Sequence, residues 1–213
     1  MLGCDTEFLQ DIIQALHILE RLSVMGKDIS VITKLSLNDK FIANLARIDE
    51  SLKSNGNFLT FSVSLACTDS KEKWEPHVPT VVSRVETLRK VSETGIDTMV
   101  AIRPLIPDVP ISELYQIVDM TKDYAFGYYS GPLYLKQLSV DTITAEELQA
   151  LGCIASEEVE DVKWMPAGNR FLKIETPESM AYLKSKVEQS GRILFEGAAD
   201  GMDFLKEHKY AQL

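Results

Sequence analysis

The chain has 213 residues, of which 45% are hydrophobic and 25% are charged, and its formal net charge is −10. This composition suits one large globular domain, or a domain with a small appendage, and the acidic balance gives no support for binding to nucleic acid or anionic lipid. No apolar run is long enough to span a membrane and the first residues do not resemble a signal peptide, so we expect a cytoplasmic protein.

Helices and strands alternate along the first 130 residues. Apolar residues at helical spacing predict four helices, over about residues 7–25, 39–54, 78–94 and 112–121. Short apolar segments between and after them predict four strands, over 28–33, 57–65, 97–103 and 124–130. Each crossover is long enough to require parallel neighbours joined by right-handed connections. We therefore predict an α/β fold with a parallel sheet.

The pattern changes after about residue 136. A capping box at 144–147 predicts a short helix, and the acidic stretch 156–161 is predicted to be weakly structured. Further on, the pattern predicts a strand, a helix, a strand and a final helix, over 170–174, 177–189, 192–196 and after Asp200. We predict two parts, a β/α core over residues 1–137 and a small α+β extension over 138–213 that packs on it.

The strand over 57–65 alternates apolar and hydroxyl side chains. Leu59, Phe61 and Val63 fall on one face, whereas Ser62 and Ser64 fall on the other. Strands between helices are usually apolar on both faces. Hydroxyl groups on one face therefore predict a polar lumen that holds a ligand.

Ligands of parallel β/α folds gather at the carboxyl ends of the strands. In this chain those ends carry hydroxyls, two cations and aromatic rings, from Thr33, Lys34, Ser62, Ser64, Arg103, Tyr128, Tyr129 and Ser130. This set suits a ligand with sugar hydroxyls, a carboxylate and an aromatic base. A guanidinium at the end of an apolar strand requires an anionic partner, so Arg103 is the most informative of these residues. No catalytic Ser-His-Asp or Cys-His arrangement and no glycine-rich phosphate loop can be assembled from the sequence.

Most of these residues also have a purely structural explanation. Ser62 and Ser64 would then bond to backbone or water, and Lys34 would be a solvated charge. Glu75 would pair with Arg84 in a loop-to-helix salt bridge of small stabilising value. The two tyrosines of the fourth strand would supply core packing.

Several short motifs follow one another in a recognisable order. Thr33-Lys34 follows a strand, and Ser62-Val63-Ser64 lies in the next strand. After them come Trp74-Glu75-Pro76, then Arg84, and then Arg103-Pro104-Leu105-Ile106-Pro107. This order resembles the radical S-adenosylmethionine (SAM) enzymes, in particular the branch that contains spore photoproduct lyase. The resemblance covers about residues 3–137.

The resemblance implies a partial parallel β/α barrel of about four β/α units, open on one side, whose lumen holds SAM and a small-molecule substrate. It places Ser62 or Ser64 near the ribose or methionyl part of SAM, and Lys34, Arg84 or Arg103 near its carboxylate or the substrate. The strand that carries Tyr128 and Ser130 would border the adenine. The cofactor-binding residues implied are Thr33, Lys34, Ser62, Ser64, Glu75, Arg84, Arg103, Tyr128 and Ser130.

The chain departs from this family at its cysteines. Family members hold a [4Fe–4S] cluster on a CxxxCxxC loop, which Cys4, Cys67 and Cys153 cannot form, because they lie far apart and no pair has metal-ligand spacing. We therefore predict no metal site within this chain, reduced thiols, and a cluster only if its ligands come from another chain or a missing N-terminal segment. Alone, the chain would be inactive; a truncation, a split-gene product and a degenerate relative all remain open.

An open half-barrel leaves an unpaired strand edge. We expect a second copy, a partner chain or the C-terminal extension to cover it.

Two alternatives to a radical SAM role also remain open. One is a non-catalytic ligand-binding or assembly module built on the barrel remnant; the other is a cluster-free enzyme that uses Lys34 as a Schiff-base amine.

Overall fold

The computed structural model describes Leu2 and residues 7–136, 155–160 and 170–212. The described strands, in chain order β1 to β8, are Ile29–Thr33, Leu59–Ser64, Asp97–Ile102, Gly127–Ser130, Leu133–Lys136, Ala155–Glu160, Arg170–Glu175 and Ile193–Phe195. The described α-helices, α1 to α7, are Ile12–Ser23, Asp39–Ser54, Lys71–Trp74, Val81–Glu93, Ile111–Thr121, Pro177–Gln189 and Ala198–His208. The capping box at 144–147 lies outside the described residues.

The main sheet has five parallel strands in the order β1-β2-β3-β4-β8. The α/β fold class is confirmed, and the sheet is consistent with a partial β/α barrel, since the described strands form no closed barrel. The four strands and the parallel order predicted through Ser130 are confirmed. The fifth strand comes from the segment beyond residue 138, where α6 and β8 add one helix and strand unit to the sheet.

The three remaining strands form a second, antiparallel sheet in the order β5-β7-β6. The prediction of a weakly structured segment over 156–161 is wrong, because Ala155–Glu160 is strand β6 and pairs with β7 along its whole length. The pairing partner lies on a different segment of the chain, and local sequence carries no signal for such a partner.

Two of the predicted helix boundaries shift because of local capping. The predicted helix over 7–25 is divided into a 3-10 turn, Phe8–Gln10, and helix α1. Asp11 separates them, because its carboxylate accepts hydrogen bonds from the Ile13 and Gln14 backbone N–H groups at 3.1 and 3.0 Å. Helix α4 begins at Val81, and its N-cap Thr80 accepts a hydrogen bond from the Ser83 backbone N–H.

One face of the main sheet packs on the helices. Leu59, Phe61 and Val63 of β2 are fully buried in the main core, together with Leu45 of α2 and Leu88 of α4. The alternation predicted for this strand is therefore confirmed on its apolar side.

Helix α7 packs on the opposite face of the sheet. Met99, Ala101 and Tyr129 form a second buried cluster with Ala198 of α7. Gly201 of α7 approaches so closely that a Cβ atom on it would lie 2.5 Å from Met99 Sδ. Over β3 and β4 this face is a packed apolar interior, so the prediction of a polar lumen is wrong for that half.

The last residues cover the amino-terminal ends of the strands of the main sheet. Lys209 Nζ lies 2.7 Å from Asp97 Oδ1, the Tyr210 hydroxyl donates to Asp97 Oδ2 at 2.6 Å, and the Tyr210 ring stacks on Phe58 at 4.5 Å. Lys206 adds an ion pair with Asp28 at 3.2 Å. These contacts lie at the opposite end of the strands from their carboxyl ends, where ligands of parallel β/α folds bind.

Strand β1 lies at the other end of the sheet from β8. Leu2 pairs with it in parallel, since the Leu2 N–H donates to the Ser30 carbonyl at 2.7 Å and the Ile32 N–H donates to the Leu2 carbonyl at 3.0 Å. The described C-terminal strand joins the sheet beside β4, at the opposite edge. None of the helices in the described ranges is long and apolar enough to cross a membrane.

Candidate functional site

Three charged side chains meet at the carboxyl ends of β1 and β2. Glu75 Oε1 lies 2.6 Å from Lys34 Nζ, and Glu75 Oε2 lies 2.8 Å from Arg84 Nη1. Arg84 Nη1 also donates to the Ser64 carbonyl at 2.8 Å. We call these three side chains the Lys34–Glu75–Arg84 triad.

Local structure explains how the triad assembles. Lys34 directly follows β1, Glu75 follows the short helix α3, and Arg84 lies in the first turns of α4. The side chains of Arg84 and Glu75 are 0% and 3% exposed, whereas that of Lys34 is 38% exposed. The predicted pairing of Glu75 with Arg84 is therefore confirmed, and the structure adds that the pair is buried; its small stabilising value stays a prediction. Burial makes the loss of either partner costly, because it would leave an uncompensated charge in the interior.

On the face of β1 and β2 that points away from α2 and α4, hydroxyl side chains alternate along the strands with Ile32, which packs against the Met99 cluster. Ser30 lies beside Thr60 in the parallel register, and Ser62 follows two residues along β2. All three are buried, and their side-chain oxygens have no hydrogen-bond partner within the described part of the chain. Buried hydroxyls normally have a partner, so this strip of the face fits a polar ligand or ordered water. The face pattern pointed to Ser62, whereas Ser30 had been missed because its strand is too short to show a clear alternation.

Ser64 and Arg103 meet near the top of the same face. The Ser64 hydroxyl donates to the Arg103 carbonyl at 3.4 Å. The Arg103 guanidinium lies against Gly131, where a Cβ atom would be 3.1 Å from Arg103 Nε. Glycine at this position therefore makes room for the guanidinium.

Three predicted site residues lie on the helix-facing side instead. Thr33 is in register with Val63, and the Ser130 hydroxyl donates to the Ile102 carbonyl at 2.6 Å. The Tyr128 hydroxyl lies 2.9 Å from Thr121 Oγ1 of α5, and burial raises the pKa of Tyr128 to about 12. The side chain of Tyr128 thus packs in the core, and Tyr129 is the β4 residue whose side chain lies on the opposite face, beside Ala198 of α7.

Two carboxylates that the sequence had not singled out support loops of the site. Glu7, which we had placed in the first turn of a helix, accepts hydrogen bonds from the Thr33 hydroxyl and the Lys34 N–H. Glu113 of α5 accepts hydrogen bonds from the backbone N–H groups of Thr68 and Ser70 and from both of their hydroxyls. Burial opposes ionisation of Glu113, but these hydrogen bonds outweigh it and lower the pKa of its carboxyl. Acidic residues far away in sequence carry no local signal for such contacts.

Cys67 follows β2 and is buried. Burial, and then the nearby carboxylates of Glu75 and Glu113, raise the pKa of its thiol to about 11, so the thiol is protonated at neutral pH. Among the described residues, no group of His, Cys, Asp or Glu side chains could hold a metal ion. Cys4 and Cys153 lie outside the described residues.

Solved structures share this arrangement of strands and helices. A domain of pyruvate-formate lyase-activating enzyme from Bacteroides vulgatus ATCC 8482 matches with a TM-score of 0.59 and 14% identity, over 92% of this chain and 96% of that one. Spore photoproduct lyase, complexed with dinucleoside spore photoproduct, matches with a TM-score of 0.62 and 14% identity, over 90% of this chain and 58% of that one. Both are radical SAM enzymes. The chain has the radical SAM enzyme fold.

At this level of identity the radical SAM likeness concerns the fold, and the predicted resemblance is confirmed at that level. The chain spans about 58% of the spore photoproduct lyase chains that it matches. A mutant of spore photoproduct lyase, described with bound AdoMet (SAM) and dinucleoside spore photoproduct, matches with a TM-score of 0.59. No protein-family model matches the chain, and no curated protein matches it in sequence.

Proposed function

We propose that this chain is the cofactor- and substrate-binding part of a radical SAM-type enzyme, with SAM bound at the carboxyl ends of the parallel strands. The observation that carries the proposal is the strip of buried hydroxyls on β1 and β2 whose oxygens lack partners among the described residues, Ser62 foremost. Ser62 is the member of the strip nearest the carboxyl ends of the strands, where ligands of parallel β/α folds bind, whereas Ser30 and Thr60 lie toward the amino-terminal ends. These donors and acceptors fit the polar parts of SAM.

Each proposed contact follows from charge and position. The ammonium of Lys34, the most exposed member of the triad, binds the carboxylate of SAM, while Ser62 or Ser64 lies near its ribose or methionyl part. Arg103 binds the same carboxylate or the substrate. The remaining residues support these contacts: Thr33, Glu75 and Arg84 hold Lys34 and the adjacent loops, and the β4 backbone at Tyr128 and Ser130 borders the adenine.

The reaction would require a second component. Bound next to a reduced [4Fe–4S] cluster, SAM supplies radical chemistry, and this chain's own residues bind and orient it. The cluster ligands come from another chain or from a segment that precedes Met1, and alone this chain is inactive. We further propose that a partner chain or a second copy covers the β1 edge and that the protein is cytoplasmic. Residues 1–137 form the barrel part with its first four strands, and 138–213 form an extension that adds α6 and β8 to the same sheet.

The second candidate function is a non-catalytic ligand-binding or assembly module. One observation favours it: Glu75 already balances the charges of both Lys34 and Arg84 inside the protein, which leaves less positive charge for a ligand. The same ion pair argues against a Schiff-base role, because Lys34 is held beside a carboxylate rather than in an apolar pocket.

Calorimetric titration of the full chain with SAM tests the proposal. Lys34→Met is expected to weaken binding about tenfold, the loss of roughly one charge-assisted hydrogen bond. Lys90→Met is a closely matched control, because Lys90 is also ion-paired at 2.6 Å and its side chain is 34% exposed. Ser62→Ala is expected to weaken binding, and Ser23→Ala, at a buried serine on α1, to leave it unchanged. Failure of the unaltered chain to bind SAM, or equal affinities for the two lysine variants, would remove the proposal in favour of the assembly module.

A further inference from the structure

The carboxylate of Glu7 makes three hydrogen bonds around the end of β1. Its Oε1 accepts from the Thr33 hydroxyl at 2.8 Å and from the Leu9 N–H at 3.2 Å, and its Oε2 accepts from the Lys34 N–H at 2.9 Å. Oε1 thus links the end of β1 to the start of the 3-10 turn, and Oε2 contacts the turn that carries Lys34. Glu7 contacts the backbone of Lys34, not its ammonium group, which pairs with Glu75.

Thr33 extends this contact by one residue. Its hydroxyl donates to Glu7 and accepts a hydrogen bond from the Leu35 N–H at 2.9 Å. Two successive backbone N–H groups therefore donate to fixed side chains: the Lys34 N–H donates to Glu7, and the Leu35 N–H donates to Thr33, which in turn donates to Glu7. Neither contact can be replaced by the β1–β2 ladder, because the last residue of β1 that pairs with β2 is Thr33.

A fixed backbone at this turn matters because the lysine side chain is long and flexible. Ordering such a side chain costs rotamer entropy, and that cost grows if the turn that carries it also moves. The Lys34 ammonium reaches Glu75 from a turn whose main chain is held at two successive N–H groups. The same turn directs Lys34 toward the edge where the proposed ligand binds.

We infer that Glu7 is a positioning residue that fixes the Thr33–Leu35 turn and so holds the Lys34 ammonium within reach of Glu75 and of a ligand carboxylate. The part of this inference that concerns the ligand rests on the proposed function; the part that concerns Lys34 and Glu75 does not. Loss of Glu7 should therefore free Lys34 selectively, without general loosening of the fold.

The reactivity of individual lysines in the full chain provides the test. Reductive methylation followed by mass spectrometry gives a rate for Lys34 and, in the same sample, for Lys90, whose side chain is similarly exposed and also paired with a carboxylate at 2.6 Å. Glu7→Ala is expected to raise the rate at Lys34 several-fold and to leave the rate at Lys90 unchanged. Thr33→Val should also raise the methylation rate at Lys34, but by less, because the hydrogen bond from the Lys34 N–H to Glu7 remains.

Glu7→Gln serves as the milder variant if Glu7→Ala does not fold. It keeps one acceptor oxygen, so the rate at Lys34 should fall between those of the unaltered chain and Glu7→Ala. A rate at Lys34 unchanged in both Glu7 variants would overturn the inference. Equal increases at Lys34 and Lys90 would also overturn it, because they indicate general loosening.

Titration with SAM separates this inference from the proposed function. If the unaltered chain binds SAM, Glu7→Ala should weaken binding, and the same substitution should have no further effect when added to Lys34→Met. A further loss in the Lys34→Met background would contradict action through Lys34. If SAM does not bind at all, the proposed function fails, and the methylation rates alone decide the role of Glu7.

Discussion

Arg84 and Glu75 form an ion pair from which water is almost entirely excluded. Arg84 Nη1 lies 2.8 Å from Glu75 Oε2, and the two side chains are 0% and 3% exposed. The pair joins the first turns of α4 to the loop after α3, and through the Ser64 carbonyl it also reaches the end of β2. It therefore holds together three elements that border the candidate site.

Breaking this pair should destabilise the fold strongly. We expect Arg84→Met to lower the free energy of unfolding by about 3 kcal/mol, near the low end for a broken buried pair because Lys34 still balances Glu75. Arg89→Met on the same helix is the control, since Arg89 pairs with Glu86 and Glu93 at the surface and its loss should change stability far less. Denaturant unfolding of both variants measures the difference, and similar losses would contradict a special role for Arg84.

Glu113 should make part of the stability depend on acid pH. Although burial opposes its ionisation, hydrogen bonds from Ser70 and Thr68 lower the pKa of this carboxyl below its ordinary 4.5. The stabilisation is therefore fully present above the unfolded-state pKa of about 4.5 and is lost as the pH falls through the lower, folded-state pKa. Glu113→Gln should lower the free energy of unfolding by about 1–3 kcal/mol at pH 7.

Unfolding curves at a series of pH values test this expectation. The stabilities of the unaltered chain and Glu113→Gln should converge as the pH falls below 4.5. Glu72→Gln, at an exposed glutamate of the nearby helix α3, should lie close to the unaltered chain throughout. A constant gap between the chain and Glu113→Gln at all pH values would show that the ionised form is not what stabilises the loop.

The contact of α7 with the second face of the sheet can be tested at Gly201. Gly201→Ala would place its Cβ 2.5 Å from Met99 Sδ, and such overpacking costs about 1–3 kcal/mol. The gain in helix propensity offsets only about 1 kcal/mol, so we expect net destabilisation. In a Met99→Ala background the same substitution should become stabilising, as measured by thermal unfolding. Stabilisation by Gly201→Ala in the unaltered chain would mean that α7 is not packed on Met99.

Tyr210 should stabilise the covered amino-terminal ends of the strands through its hydroxyl. Tyr210→Phe keeps the stack on Phe58 but removes the hydrogen bond to Asp97, and we expect a loss of about 1.5 kcal/mol or more because the acceptor is charged. Tyr182→Phe, at an exposed tyrosine of α6, should be neutral.

The same hydroxyl predicts an alkaline effect. Burial, and then the hydrogen bond to Asp97, raise the pKa of Tyr210 above its ordinary 10, so the stabilisation is complete below pH 10 and declines above it. Above that pH the unaltered chain should lose stability more steeply than Tyr210→Phe. Parallel losses in the two proteins would assign the alkaline effect to other groups.

The sequence by itself determined the secondary structure and the parallel order of the first four strands. Helical and alternating periodicity are local properties, so helix α2 and helix α6 were predicted with their observed bounds, and the crossover lengths required parallel strands. The order of the short motifs around Lys34, Ser62, Glu75 and Arg103 resembles that of radical SAM enzymes, and this resemblance implied the fold that the solved structures share.

Only the tertiary structure decided which polar groups are satisfied inside the protein. The strand register places the side chain of Thr33 on the helix-facing side of the sheet and that of Ser62 on the other side. The Glu75–Arg84 ion pair, which the sequence predicted without indicating its burial, lies in the interior. The contacts of Glu7 at Lys34 and of α7 at Met99 join segments far apart in sequence. Hydrogen bonding and burial depend on which distant segment covers each residue, and local periodicity contains no information about that.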